Sequence, residues 1–199
     1  RYLLRDSYDV GPENTILIQA AAGGVGLIMI QWAKLLGATV IGTVSTEEKA
    51  DLAKSYGCDH TINYLTEEFP ERVRDITNGG GVDVVYDGVG KVTFEGDLDC
   101  LKPRGYLIGY GNASGNFPEF DPLILMDKGS LYFQRAAMYD FVRDRSDLEI
   151  MGGELMDLVA SGSIKIEVNK TYPLKEAKQA HIDLMDRKTS GSVVYNPWA

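Results

Sequence analysis

A glycine-rich segment is the first part of this sequence whose residue types and spacing could do chemistry. It reads Ala21-x-Gly23-x-x-Gly26 and joins an apolar run, Thr15–Gln19, to a helical pattern. In the dinucleotide fingerprint, the middle glycine lets the backbone approach a pyrophosphate and the last lets the helix pack closely on the strand. The phosphates then meet free N–H groups at the helix N-terminus. A tight turn with glycines for packing alone is the alternative, but the position between strand and helix favours dinucleotide binding.

The end of the second predicted strand indicates which dinucleotide would bind. A site selective for NAD usually places Asp or Glu there to hydrogen-bond the ribose 2′-hydroxyl. This sequence has Ser45 in that position and Lys49 one helical turn later, and a hydroxyl plus a cation suits a 2′-phosphate. The alternative is structural, with Ser45 and Glu48 forming a capping box and Lys49 solvated. These residues favour NADP over NAD.

Two further candidates stand at strand ends. Tyr64 follows the third predicted strand, where the adenosine would lie, and Asp87–Gly90 ends the fourth. Ligands of open α/β sheets bind at the carboxyl edge of the strands. An exposed tyrosine and a simple strand-to-helix turn are the plain alternatives. If the sheet forms as predicted, Gly23–Gly26 and Asp87–Gly90 lie side by side at that edge.

The sequence offers no set of residues for acid–base, nucleophilic or metal chemistry. It contains no Ser/His/Asp constellation, and His181 lies in a helical pattern as a surface or packing residue. Cys58 and Cys100 have no zinc-ligand spacing with His60 or His181. We therefore expect no metal site and assign no catalytic residue within this chain.

The elements that must position these residues alternate between apolar, β-branched runs and helical patterns. The predicted strands are Thr15–Gln19, Thr39–Val44, Thr61–Asn63, Val82–Tyr86, Gly105–Gly109, Ser130–Gln134, Ile164–Tyr172 and Ser192–Tyr195. The predicted helices are Gly24–Leu36, Thr46–Ser55, Glu67–Thr77, Thr93–Leu101, Leu148–Ala160 and Lys175–Asp186. This order predicts an α/β fold, a doubly wound parallel sheet with helices on both faces. Ser161–Ser163 divides the chain into a dinucleotide-binding domain, 1–161, and a C-terminal segment, 162–199.

Composition excludes several classes of protein. The 199 residues carry a net charge of −9, which disfavours a nucleic-acid partner because phosphate contacts need clustered Lys and Arg. The longest run without polar side chains, Ala20–Ile30, is too short and too rich in glycine to span a membrane. Two distant cysteines imply no disulfide framework and fit a cytoplasmic setting. The chain starts at Arg1, without Met, and we expect a fragment of a longer protein.

Several strings occur together in one order: QAAAGGVG, GTVSTEEKA, DHTINY, GVDVVYDGVG, LIGYGNASG and, at the end, LMDRKTSGSVVYNP. In combination they resemble the quinone oxidoreductase (zeta-crystallin-like) branch of the medium-chain dehydrogenase/reductase superfamily. The resemblance implies a Rossmann domain inserted between two parts of a GroES-like catalytic domain, in a zinc-independent, NADPH-dependent homodimer that reduces quinones. It also implies that most of the catalytic domain is missing, and that residues 162–199 are its C-terminal return.

The resemblance also assigns cofactor-binding residues. It implies that Gly23, Gly24 and Val25 form the pyrophosphate loop. It assigns Ser45, Lys49 and Tyr64 to the 2′-phosphate and the adenosine. Val89 would lie over the cofactor, and Tyr110 near the nicotinamide.

The implied chemistry is hydride transfer from NADPH to a quinone or another conjugated carbonyl. The first alternative is an enal or enoyl reductase of the same superfamily. The second is a nucleotide-binding module without turnover, and a methyltransferase is more distant, because Ser45 stands where its acidic ribose ligand belongs. With one wall of the cleft absent, we expect cofactor binding but inefficient turnover.

Two expectations concern surfaces. The strand Ser130–Gln134, at the end of the sheet, presents unpaired backbone groups and predicts a homodimer through this edge. The segment Ile164–Ala199 lacks its partner sheet, and we expect it to be the most mobile or displaced part of the chain.

Overall fold

A parallel sheet of six strands forms the centre of the protein, in a computed structural model that describes residues 1–199. Its strands follow the order β3-β2-β1-β4-β5-β6, so the chain reverses direction across the sheet between β1 and β4. All pairings are parallel. The strands are β1 (Thr15–Ile18), β2 (Thr39–Val44), β3 (His60–Asn63), β4 (Val82–Asp87), β5 (Leu101–Gly109) and β6 (Tyr132–Arg135). The predicted α/β fold with a doubly wound sheet is confirmed.

Helices cover both faces of this sheet. The helices of the chain are α1 (Gly24–Leu35), α2 (Glu47–Ser55), α3 (Phe69–Ile76), α4 (Phe94–Cys100), α5 (Leu123–Asp127), α6 (Met138–Phe141), α7 (Arg145–Ala160) and α8 (Ala177–Met185), of which α8 packs against the C-terminal strands and not against this sheet. A helical turn, Tyr2–Ser7, precedes the sheet. No helix is both long and apolar enough to cross a membrane.

Strand alternation divides the core into two layers. In β1, Ile16 and Ile18 face a cluster that includes Trp32 of α1, whereas Leu17 faces the other cluster, with Phe94 of α4. All three β1 residues are fully buried. A strand buried on both faces is continuously apolar, which is why TILI and TVIGTV were readable as strands.

The C-terminal region is a small unit of its own. It comprises β7 (Val168–Pro173), α8 and β8 (Ser192–Asn196), and β7 and β8 pair in parallel. The predicted strand from Ile164 begins four residues later, because Ile164 instead packs into the main core. Most side chains of β7 and β8 are exposed or half-buried.

Three other details differ from the sequence prediction. The short helices α5 and α6 were not predicted. The edge strand starts at Tyr132 rather than Ser130, because Ser130 has a positive φ of 57° and belongs to the preceding turn. Helix α7 starts at Arg145 and lies on the surface, with no fully buried residue.

Candidate nucleotide-binding site

The glycine loop leaves the carboxyl end of β1 and turns directly into α1. Gly23 is the N-cap in an extended conformation, and its N–H donates to Ala20 O at 3.0 Å. A Cβ at Gly26 would lie 2.4 Å from Ala21 O, so only glycine lets the helix start this close to the strand. The Val25 N–H, in the first turn of α1, has no hydrogen-bond acceptor in the protein, whereas the Gly24 N–H faces the backbone oxygen of Gly191. Free N–H groups at a helix N-terminus are suited to bind an anion.

The loop after β4 lies beside the glycine loop, as the sequence predicts. β1 and β4 are adjacent and parallel, and Gln19 N–H donates to Tyr86 O at 3.0 Å. The buried Asp87 carboxylate accepts from the N–H groups of Val89 (2.6 Å) and Gly90 (3.0 Å). These bonds fix the backbone at the rim of the crevice, where Val89 stands.

Tyr110 follows β5 at the same edge. Its N–H donates to Asp87 O at 2.8 Å, and a Cβ on Gly88 would lie 3.0 Å from its ring. Burial, and secondly the charge of Asp87, raise the pKa of the Tyr110 phenol. Tyr110 is therefore a neutral, fixed wall that joins the β4 and β5 loops.

An apolar cavity of about 410 Å³ continues from Tyr110 along the ends of β5 and β6. Six of its seven lining residues are apolar or aromatic. The six are Tyr2, Tyr110, Ala136, Ala137, Met138 and Tyr139, and the seventh is Arg135. The position, next to Val89 and Tyr110 at the carboxyl edge, is where a flat ring extending from the glycine loop could lie.

The residues at the ends of β2 and β3 come together in one polar cluster. Lys49 Nζ lies 3.3 Å from Ser45 Oγ and donates to the backbone oxygen of Arg187 at 2.6 Å. The Arg187 guanidinium donates to the Tyr64 hydroxyl at 3.1 Å and lies over the Tyr64 ring. Neither Lys49 nor Arg187 forms a salt bridge. Two cations without a counter-charge make this cluster suited to an anion.

Burial lowers the pKa of Lys49, and the charge of Arg187 lowers it further. The second effect favours an anionic ligand, because such a ligand relieves the repulsion between the two cations. The capping alternative for Ser45 is wrong: Thr46 is the N-cap of α2, and its hydroxyl accepts from Lys49 N–H at 3.2 Å.

Arg187 is the site residue that sequence reasoning missed. It lies in the turn after α8, 138 residues from Lys49, and an arginine in such a turn is ordinarily solvated. Its φ of +59° turns its carbonyl toward Lys49, and no feature of the sequence signals that conformation.

The C-terminal region also contacts the glycine loop. Gly191 N–H donates to Ala22 O at 2.8 Å, and Gly191 forms an isolated parallel bridge with Gly23. A Cβ on Gly24 would lie 3.3 Å from Gly191 O. The expectation that Ile164–Ala199 is displaced is therefore wrong in this structure, because the segment docks against both the loop and the cation cluster.

No metal or thiol chemistry is visible in this chain. No three His, Cys, Asp or Glu side chains come together as a ligand set. Both cysteines are free and buried. Burial raises the pKa of Cys58 to about 12 and also raises that of Cys100, so neither thiol is poised as a thiolate nucleophile.

Comparison with known proteins places these features in one family. Residues 24–153 match the family described as zinc-binding dehydrogenase. The chain is 49% identical to the 2-haloacrylate reductase of Burkholderia sp, covering 100% of this chain and 60% of that protein. It is 46% identical to quinone oxidoreductase 1 of Escherichia coli (strain K12), covering 98% of this chain and 61% of that protein.

Solved structures give the same result. The crystal structure of Escherichia coli quinone oxidoreductase complexed with NADPH matches with a TM-score of 0.95 and 47% identity, covering 98% of this chain and 61% of that one. The chain thus spans about three fifths of the length of these relatives. The zinc in the family's description has no ligand set among the residues of this chain. The family match covers more than half of the sequence, and the chain belongs to the zinc-binding dehydrogenase family of the medium-chain dehydrogenase/reductase superfamily.

Proposed function

We propose that this chain is the NADP(H)-binding part of an NADPH-dependent quinone oxidoreductase. The observation that carries the proposal is the cation cluster: Lys49 and Arg187 stand without carboxylate partners beside Ser45 and Tyr64, at the end of β2. That is the position where the ribose 2′ substituent lies in this fold. The relative solved in complex with NADPH supports the choice of cofactor.

The residues divide into three groups along the crevice. Gly23, Gly24 and Val25 form the loop that receives the pyrophosphate, and Val25 presents a free N–H at the start of α1. Ser45, Lys49 and Tyr64, together with Arg187, bind the 2′-phosphate and the adenosine. Val89 and Tyr110 line the nicotinamide end of the crevice.

When bound, the reduced nicotinamide supplies a hydride to an electron-poor acceptor. The chain's own contribution is to bind and orient the cofactor and to present, beside Tyr110, a pocket lined mainly by apolar and aromatic residues. No side chain of this chain is assigned as an acid or base. A quinone requires little Lewis-acid polarisation, so the proposal includes zinc-independent transfer.

A second candidate acceptor is a C=C bond conjugated to a carbonyl or carboxylate. The observation that favours it is the 49% identity to a 2-haloacrylate reductase, which is slightly higher than the identity to quinone oxidoreductase 1. Both candidates are conjugated acceptors of hydride and would use the same cofactor site. A nucleotide-binding module without turnover is the alternative of another class.

The assembly, the domain division and the location are part of the proposal. β6 is the outermost strand, and Tyr132 on it is 46% exposed, so two such edges can pair about a twofold axis to form a homodimer. Residues 1–161 and 162–199 are proposed as the two domain parts, in a cytoplasmic protein.

The dimer is tested by Tyr132→Glu, which places like charges near each other across the twofold edge. Gel filtration should then give a monomer. Phe133→Pro tests the same edge less cleanly, because the Phe133 ring packs against Phe94 and Phe117 and its loss would disturb the core. A dimer unchanged by Tyr132→Glu would place the interface elsewhere.

The cofactor assignment is tested by titrating the chain with NADPH and NADH and following nicotinamide fluorescence. We expect tighter binding of NADPH. Equal affinity for the two would contradict the 2′-phosphate assignment, and binding of neither would contradict the proposal as a whole. The acceptor is then distinguished by NADPH oxidation with 1,4-benzoquinone and with 2-chloroacrylate, in a longer protein that contains this sequence.

A further inference from the structure

A row of buried polar side chains lies directly beneath the glycine loop. Gln19 directly follows β1, Thr43 lies in β2, and Asp97 lies in α4, with exposed fractions of 2%, 1% and 0%. The interior positions of these two strands are otherwise apolar or glycine, so the sheet does not require polar side chains there. Buried polar groups are retained only when they are hydrogen-bonded, so the question is what these bonds hold in place.

The hydrogen bonds of this row run in one direction. Ala20 N–H donates to Thr43 Oγ1 at 3.2 Å, and the Thr43 hydroxyl donates to Gln19 Oε1 at 2.6 Å. Gln19 Nε2 then donates to Asp97 Oδ1 at 2.6 Å. Accepting from Ala20 N–H leaves the Thr43 hydroxyl free to donate its own proton to Gln19 Oε1. In this arrangement the Gln19 amide has its oxygen toward Thr43 and its NH₂ toward Asp97.

The row ends at a strained residue of the loop. Ala20 has a φ of +54°, a left-handed conformation that a residue with a Cβ adopts at an energetic cost. Its carbonyl accepts from Gly23 N–H at 3.0 Å, so its conformation sets the path of the loop up to the N-cap of α1. The bond from Ala20 N–H to Thr43 is the side-chain contact that holds this conformation from below.

We infer that Gln19 and Asp97 are positioning residues for the dinucleotide phosphates: acting through Thr43, they hold Ala20 and the glycine loop in the binding conformation. The inference rests on the proposed function, because it assigns a role toward the same cofactor. Neither residue touches the crevice, and both act through a hydroxyl that is itself buried.

The far end of the row is suited to act as an acceptor. Asp97 Oδ1 receives the Gln19 NH₂, whereas Oδ2 has no hydrogen-bond partner. Burial, and secondly the neighbouring Asp87 carboxylate, raise the pKa of Asp97 well above its usual value. A neutral carboxylic acid still presents one acceptor oxygen, so an asparagine of the same shape should keep the row intact.

The rival explanation is that the row only stabilises the packing of α4 on the sheet. Under that explanation, variants lose stability, but the folded fraction binds nucleotide as tightly as the wild type. Affinity measured on folded protein therefore distinguishes the two explanations. Binding of 2′-AMP distinguishes them a second time, because this nucleotide carries the 2′-phosphate and lacks the pyrophosphate.

The experiment compares Gln19→Leu, Thr43→Val, Asp97→Leu and Asp97→Asn with the wild type, and titrates each with NADPH, NADH and 2′-AMP. We expect Gln19→Leu and Thr43→Val to bind both dinucleotides about tenfold more weakly, and 2′-AMP unchanged. Asp97→Leu, which removes the acceptor of the Gln19 NH₂, should share this loss, and Asp97→Asn, which keeps an acceptor oxygen, should restore the binding. Thr77→Val is the matched control, because the Thr77 hydroxyl also accepts from a backbone N–H, that of Gly81 at 3.0 Å, away from the loop.

The outcomes distinguish this inference from the proposed function. Unchanged dinucleotide affinity in folded Thr43→Val, a nearly isosteric variant, overturns the inference even where Gln19→Leu does not fold. An equal loss of affinity for 2′-AMP also overturns the inference, because the substitution would then affect the whole site and not the pyrophosphate loop alone. A wild-type chain that binds neither dinucleotide overturns the proposed function and the inference with it. Both are supported if Gln19→Leu and Thr43→Val lose affinity for the dinucleotides but not for 2′-AMP, and Asp97→Asn loses neither.

Discussion

The central sheet and the C-terminal region contribute to the same site in different ways. The sheet is fully buried at its centre, as Ile16, Leu17 and Ile18 of β1 show. The C-terminal region leaves Met185 81% and Trp198 93% exposed. Yet that weakly packed region provides Arg187 and Gly191 to the cation cluster and the glycine loop. A segment's share of the hydrophobic core is therefore no measure of its share in ligand binding.

The contacts between the two regions at the site are mostly polar. Lys49 donates to the backbone of Arg187, and the backbone of Gly191 donates to Ala22. Backbone contacts of this kind depend on the path of the chain more than on side-chain identity. The sheet region thus supplies a rigid frame, and the C-terminal region completes it over the adenosine end.

The largest expected effect concerns turnover, because hydride transfer needs donor and acceptor about 3–3.5 Å apart with water excluded. The 199 residues span 61% of quinone oxidoreductase 1 of Escherichia coli. We expect the chain alone to bind NADPH but to oxidise it with 1,4-benzoquinone at least about a hundredfold more slowly than that relative. Stopped-flow absorbance at the nicotinamide band measures the rate. Comparable turnover would show that the acceptor site lies entirely within these residues.

The next effect tests whether the two regions share the 2′-phosphate. Lys49→Ala changes the sheet region and Arg187→Ala the C-terminal region. Each should weaken NADPH roughly ten- to a hundredfold, the value of one charge-assisted contact, and NADH little. Lys54→Ala is the control, because Lys54 lies on the same helix and its only ion pair is a 3.9 Å contact with Asp51. Equal losses of NADPH and NADH would contradict the shared site.

How much the sequence predicts differs between the same two regions. The predicted bounds of the strand Thr39–Val44 agree with the structure at both ends, because a strand buried on both faces is a continuous run of mostly β-branched residues. The apolar Ile164 is predicted as the first residue of a strand, but it lies outside any strand and packs into the main core. The role of Arg187 depends on a contact across 138 residues and on a left-handed backbone, and neither leaves a periodic pattern.

A smaller effect is expected from the contact between the C-terminal region and the glycine loop. Gly191 has a φ of +56°, and a Cβ there would lie 1.8 Å from Asn169 Oδ1, so Gly191→Ala must displace the segment. We expect about tenfold weaker binding of both dinucleotides by fluorescence titration. Gly162→Ala is the matched control: Gly162 also has a positive φ, 76°, but its Cβ would meet nothing within 4 Å. If the two variants bind alike, the docking of Gly191 on the loop is irrelevant to affinity.

The smallest effect is a difference in how stability depends on pH, because each region contains one aspartate with a shifted pKa of opposite sign. In the sheet region, burial raises the pKa of Asp97. The folded state then binds more protons than the unfolded state above pH ~4, so this group's contribution to stability falls as pH rises. Asp97→Asn removes that dependence, and its stability relative to the wild type should increase from pH 5 to pH 8.

In the C-terminal region the sign is reversed. The Asp183 carboxylate accepts from Tyr172 Oη at 2.6 Å, Gln179 Nε2 at 2.8 Å and Lys170 Nζ at 3.2 Å. These bonds, that of Tyr172 first, lower the pKa of Asp183 to about 2. The ionised Asp183 stabilises the folded state above pH ~4, and this stabilisation is lost as the pH falls toward 2. The decrease in the free energy of unfolding caused by Asp183→Asn should therefore become smaller over that pH range. Urea unfolding across pH measures both variants. Parallel slopes for the two would mean that the pKa values of these aspartates do not set the pH dependence of stability in either region.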